Sequence, residues 1–222
     1  MLKSANKLAG LIVSGTDGDV GAVKHLLFEH GLWVVRYMVV DLEGAWVLVS
    51  PISVDRLAAE DGRILVRATR GKVLGSPGID GLTPVTRSVE YRFNRYYGFP
   101  GYWLGSGLWG EDSHPASLHG ILEEGETGMN RSDERDESCY VTSSTDVVGF
   151  RVEAQDGSFG HVDDLLVDEI RWSIPYIIIS VGTALGTRRI LIDSRHVYRI
   201  AAPDEQVIVG LPQAAIRAGR EL

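Results

Sequence analysis

The chain has 222 residues, 44% hydrophobic and 23% charged, with a net charge of −8, which is the make-up of a globular protein with room for one large or two small domains. Nothing approaches the roughly 20 apolar residues of a membrane helix, because Ile177-Ile178-Ile179 is closed off by Gly182; the N-terminus has lysines but no apolar leader core, so neither membrane insertion nor secretion is expected. The single Cys139 excludes an intramolecular disulfide and suits a reducing compartment, so the expected location is cytoplasmic.

In chain order, residues 8–13 form an apolar stretch that reads as a strand, followed by Gly15-Thr16-Asp17-Gly18, a hairpin signature. Residues 20–28 form the next strand, with a β-bulge where the alternation breaks at Lys24-His25. Residues 34–42 and 45–49 pair across Glu43-Gly44, residues 53–57 read as one helical turn, and 64–66 as a last short strand. With 26 glycines and closely spaced turns, the expectation is a sandwich or barrel.

The chain then repeats itself. At a shift of 139, Gly10, Val13, Asp17, Gly18, Gly21, Val23, Leu26, Leu27, Trp33 and Tyr37 coincide with Gly149, Val152, Asp156, Gly157, Gly160, Val162, Leu165, Leu166, Trp172 and Tyr176. After a loop four residues longer in the second copy the shift becomes 143, and Leu48, Val54, Asp61 and Val66 coincide with Leu191, Val197, Asp204 and Val209. Gly18 and Gly157 are expected to close equivalent hairpins with positive φ, and Gly21 and Gly160 to serve as turn glycines. The copy at 146–182, DVVGFRVEAQDGSFGHVDDLLVDEIRWSIPYIIISVG, resembles the PRC-barrel domain, which is named for the cytoplasmic part of the photosynthetic reaction-centre H subunit and also occurs in a ribosome-maturation protein. The first copy departs from the pattern at Lys24-His25 and His30, where the second has Asp163-Asp164 and Glu169. The segment TPVTRSVEYRFNRYYGFPGYW is similar to the piece that joins paired PRC barrels. The resemblance implies a mainly β protein of two small PRC-type barrels, at 1–79 and 139–222, joined by a connector at 80–138 with a short helix. It implies function poorly: an accessory role in reaction-centre or ribosome assembly follows by analogy alone.

The connector holds most of what is not repeated. Residues 111–138 contain nine acids and two arginines, which is nearly the whole charge imbalance. The remainder is close to neutral, so nucleic acid is not an expected partner. The acidic part, 123–137, is expected to be exposed and mobile. Before it, Tyr91, Phe93, Tyr96, Tyr97, Phe99, Tyr102, Trp103 and Trp109 fall within nineteen residues. Thr83-Pro84 reads as a helix start, with Val85, Val89, Phe93 and Tyr96 at helical spacing. Two readings stay open together: the aromatic helix fills the space beside or between the barrels, or it forms a docking surface for a protein partner or a second copy of the chain. Arg87, Arg92 and Arg95 are interleaved with it.

No catalytic set emerges. Gly105-Ser106-Gly107-Leu108-Trp109-Gly110 satisfies G-x-G-x-x-G but lacks the strand before and helix after that a dinucleotide site needs. His25/His30 and His114/His119 lack partner cysteines or a carboxylate cage. His161-Val162-Asp163-Asp164 reads as a solvated strand edge or bulge, and Cys139 has no local activator. Neither metal nor cofactor is expected. The favoured expectation is a non-enzymatic interaction or scaffold protein, partnered by another protein or by itself as a homodimer; the opposing one is an enzyme with a site between the barrels, for which no matched titratable pair is visible.

Overall fold

The structure, a computed structural model, describes residues 1–79, 84–118, 128–183 and 186–222. The first half runs β1 (Leu2–Ser4), α1 (Ala5–Leu8), β2 (Ile12–Gly15), β3 (Gly18–Glu29), β4 (Val34–Asp41), β5 (Trp46–Val49), β6 (Val54–Ala58), β7 (Arg63–Val66), α2 (Arg70–Leu74) and β8 (Gly78–Ile79). The connector contributes α3 (Arg87–Tyr97) and 3₁₀ turns at Pro115–Leu118 and Asp133–Arg135. The second half runs β9 (Val141–Ser143), α4 (Ser144–Val147), β10 (Arg151–Ala154), β11 (Gly157–Asp168), β12 (Tyr176–Thr183), β13 (Gly186–Asp193), β14 (Val197–Ala201), β15 (Gln206–Val209) and α5 (Gln213–Arg217).

The strands make two sheets. One has the order β6-β7-β2-β3-β4-β5-β8 and the other β14-β15-β10-β11-β12-β13. Among the described residues only β2–β7 and β10–β15 are parallel. Among the described residues no ladder joins the two ends of either sheet, so the expected closed barrels are open sheets. One edge of each sheet is covered in another way. The short strand β8 at the end of the first half pairs with β5, and the C-terminus bonds to β13 through Leu191 N to Arg220 O at 2.9 Å and Leu222 N to Arg189 O at 3.1 Å.

Each half also lends a short arm to the other. β1 pairs with β11, Lys3 opposite Val167, and β9 pairs with β3, Thr142 opposite Phe28. Two corner residues complete the junction: Val35 N donates to Trp172 O at 2.8 Å and Ile174 N to Trp33 O at 2.6 Å. Trp33 and Trp172 hold left-handed backbone at φ 54° and 56°, which costs a non-glycine residue on the order of 1 kcal/mol. Burial of both rings, Trp33 stacked on Phe28 at 5.3 Å, offsets it. One apolar core therefore runs through both halves, from Phe28 and Val34 to Val167 and Ile174.

Several local expectations change. Residues 8–13 contribute the end of α1 before the chain enters β2, and of residues 53–57 Ser53 ends a 3₁₀ turn begun at Pro51 and the rest lie in strand β6. Thr83 lies outside the described residues; α3 starts at Arg87 with Thr86 as N-cap. The loops between Gly15 and Gly18 and between Ala154 and Gly157 have two residues each, with Gly18 at φ 148° and Gly157 at φ 124°. Their aspartates reach outward: Asp17 accepts from Arg70 N at the start of α2, and Asp156 from Gln213 N at the start of α5. Gly21 and Gly160 are not turn residues. They sit inside β3 and β11, where an added Cβ would overlap the carbonyl oxygens of Asp41 and Ser180 on the neighbouring strands. The register shifts at Lys24 in β3 and at Asp163 in β11, the positions where the alternation breaks.

Candidate interaction site

Strand β4 is buried along nearly its whole length because two layers cover it: the core on one side and α3 on the other. Tyr37 meets Phe93 edge-on at 5.1 Å, and Phe93 continues to Tyr97 at 4.8 Å and Phe99 at 6.4 Å. Gly98, left-handed at φ 72°, ends the helix and turns Phe99 back under it. Of the eight connector aromatics, Tyr91, Phe93, Phe99, Tyr102 and Trp109 are buried, while Tyr96, Tyr97 and Trp103 are partly exposed. Tyr96 ties α3 to α2 by donating to Lys72 O at 2.8 Å. Burial pushes the Tyr97 hydroxyl up to about 12. The cluster is thus largely an interior layer on the first sheet, and only three of its rings offer any surface.

Beneath these rings is a polar network. Arg36 is 1% exposed. It donates to Glu29 at 3.0 Å through Nε and to the Leu108 carbonyl through Nη1, and its guanidinium stacks 3.7 Å from the Tyr102 ring and 5.0 Å from Trp109. Glu90, fully buried on α3, accepts from the Tyr102 hydroxyl at 2.8 Å and lies 3.0 Å from Arg87. The Glu90–Arg87 orientation is poor, so Glu90 Oε2 and Arg87 Nη1 have no hydrogen-bond partner among the described residues. Loss of water pushes Glu90 up to about 7, against the opposing pull of Arg87, Tyr102 and Tyr37. Burial and the Glu90 charge raise Tyr37 and Tyr102 well above the usual phenol range.

The acidic stretch is divided. Residues 119–127, with Glu123, Glu124, Glu126 and His119, lie outside the described residues; 128–138 is largely exposed yet attached. The carbonyls of Ser138 and Asp136 accept from Arg87 N and Ser88 N, both at 2.8 Å, satisfying donors in the first turn of α3 that Thr86 leaves open. Glu137 accepts from Ser88 Oγ at 3.0 Å, which places an acid where the helix dipole favours one.

The glycine-rich segment follows a helix and folds on itself through a Gly107–Gly110 bridge. Side chains at Gly105 or Gly107 would strike the backbone at Gly110 and Asp112. This knot delivers Trp109 to the junction between halves, where its indole donates to Arg171 O at 2.9 Å. Among the described residues no three His, Cys, Asp or Glu side chains gather where they could hold a metal ion. His25 packs on Trp46 with its pKa lowered by burial, and burial raises the Cys139 thiol.

Asp164 departs most from the expected solvated edge. It is 3% exposed. It accepts from Ser4 Oγ, from Asn6 N at 3.1 Å and from Leu165 N at 2.8 Å, and so anchors the β1–α1 arm to the other half. Sequence reasoning read Asp164 as solvated, which its burial overturns, and passed over Arg36 and Glu90. A lone arginine in the apolar run Val34-Val35-Arg36-Tyr37-Met38 was the available signal for one of them. No helix among the described residues is long and apolar enough to cross a membrane. Compared with known proteins, the chain matches no family model and no curated protein.

Proposed function

We propose that the chain is a non-enzymatic interaction scaffold built from two PRC-type units duplicated within one chain. The observation that supports this most is the reciprocal junction: matching strand orders, each half lending the other a three-residue arm and a tryptophan carbonyl. Such a junction spends its most specific contacts on holding two like units in fixed relation. The buried charges serve the same end. Arg36 and Glu90 are engaged with neighbours inside the first half, and Asp164, although it lines an open cavity beside the β1–α1 arm, has its carboxylate taken up by Ser4, Asn6 and Leu165. The partner is another protein or a second copy of the chain, met by exposed surface.

Affinity isolation of the full chain from its own cells, quantified against a matched control, is expected to retain a stoichiometric protein partner, with sedimentation reporting any self-association. A monomer that retains nothing and turns over a small molecule, with turnover lost on changing one titratable side chain, would overturn the proposal.

A further inference from the structure

The junction has two equivalent corners, and among the described residues only one is filled. In the first, the carbonyl of Arg171 receives the Trp109 indole. Beside it, the 3₁₀ turn Pro115–Leu118 of the connector packs on the turn Pro51–Ser53 of the first half, with Pro115, Leu118, Pro51 and Ile52 all buried. Under the repeat shifts, Arg171-Trp172 corresponds to Leu32-Trp33, and Pro51–Ser53 to Ser194–His196. These counterparts line an open cavity of about 310 Å³, with His30, Leu32, Trp33, Arg195, Tyr198 and Arg199 on its walls. Its rim presents two of the largest exposed apolar side chains, Leu32 at 50% and Tyr198 at 74% exposure. The Tyr198 ring rests over Gly210, where a Cβ would overlap it, so one face is supported and the other open. Exposed apolar surface around a concavity marks an interaction site.

From this we infer that the second corner is a peptide-docking groove. Its occupant is an acidic segment of a protein partner that inserts a large aromatic side chain, with a proline a few residues on. The inference rests on the scaffold reading and on the equivalence of the two halves. Charge selects the acidic class. Arg195 is held by Asp193, whereas Arg199 makes no ion pair among the described residues, so the rim carries an unbalanced positive charge. The segment that fills the first corner contains Trp109, Glu111, Asp112 and Pro115 in that order. An aromatic anchor in a pocket with a charged surround is a recurring mode of peptide capture.

The test uses a labelled peptide of residues 108–118, Leu-Trp-Gly-Glu-Asp-Ser-His-Pro-Ala-Ser-Leu, titrated with the full chain and followed by fluorescence anisotropy. Saturable binding is expected, weakened at least about tenfold by Tyr198→Ala, Leu32→Ser or Arg199→Glu, and equally by replacing the peptide's tryptophan with alanine. Ile170→Ser, beside the filled corner, should leave it unchanged. These are exposed positions, and unaltered melting of each variant separates lost binding from lost folding. No saturable binding up to millimolar peptide would overturn the assignment, as would loss of binding in Ile170→Ser with retention in the groove variants, which would mean exchange into the filled corner. A dimer that dissociates in Leu32→Ser and Tyr198→Ala would make a second copy the occupant and equally overturn it. If a cellular partner survives those two substitutions, the groove assignment fails while the scaffold reading stands. If the peptide binds at the groove but the chain retains no partner, the scaffold reading fails instead.

Discussion

Glu90 makes an unusual demand on the fold: a fully buried carboxylate, pushed from its ordinary 4.5 up to about 7 by loss of water, beside Arg87 in a geometry that forms no hydrogen bond. A carboxyl whose folded pKa lies above its unfolded one binds its proton more tightly in the folded protein. Its contribution is therefore fully present below about pH 4.5 and is lost as pH rises to about 7. At about 1.4 kcal/mol per pH unit, the loss totals roughly 3 kcal/mol. His25 has the opposite sense: its lowered pKa means that its contribution is lost as pH falls below its ordinary 6.5. The comparison must therefore be between the parent and Glu90→Gln, which cancels His25. Urea unfolding of both at half-unit steps from pH 4.5 to 8 should show the parent losing roughly 3 kcal/mol relative to the variant by pH 7, then a constant gap. A gap that stays flat to within about 0.5 kcal/mol across the range would refute the assignment of an uncompensated buried acid at this position.

Three further outcomes follow from the packing. Asp164→Ala leaves the Ser4 hydroxyl and the Asn6 and Leu165 amides without their acceptor; it should cost about 3 kcal/mol and speed hydrogen exchange in β1 more than in β10. Gly160→Ala forces a Cβ onto the Ser180 carbonyl and should lower stability by more than about 2 kcal/mol, whereas Gly71→Ala, in α2 with open space around it, should raise it by up to about 1 kcal/mol; thermal melts of the pair check both. Trp109→Ala removes a fully buried ring and should cost about 3–5 kcal/mol, with the largest loss of protection at Arg171–Ile174, where its indole is bonded.

Local chemistry by itself determined most of the elements. Apolar runs bounded by turn residues place β3, β4, β5 and β7 to within a residue or two, because a strand's apolar content and the residues that end it both lie in its own neighbourhood. The break at Lys24-His25 is likewise a local fact, and it is where the register shifts. Helical spacing located α3, although its first turn is satisfied by carbonyls of Asp136 and Ser138, some fifty residues on, which no cap residue in its own neighbourhood could announce. Only the tertiary structure decided the rest. Whether a sheet closes depends on which distant segment reaches its edge first, and here β8 and the C-terminus do. Asp164 and Glu90 look like surface acids because burial of a charge is a property of what packs over it: Ser4 and Asn6 from 160 and 158 residues away in one case, Tyr102 and the first sheet in the other. The aromatic segment shows the same division. Its composition announced a large contact area, but only the packing of α3 on β4 decided that most of that area faces inward.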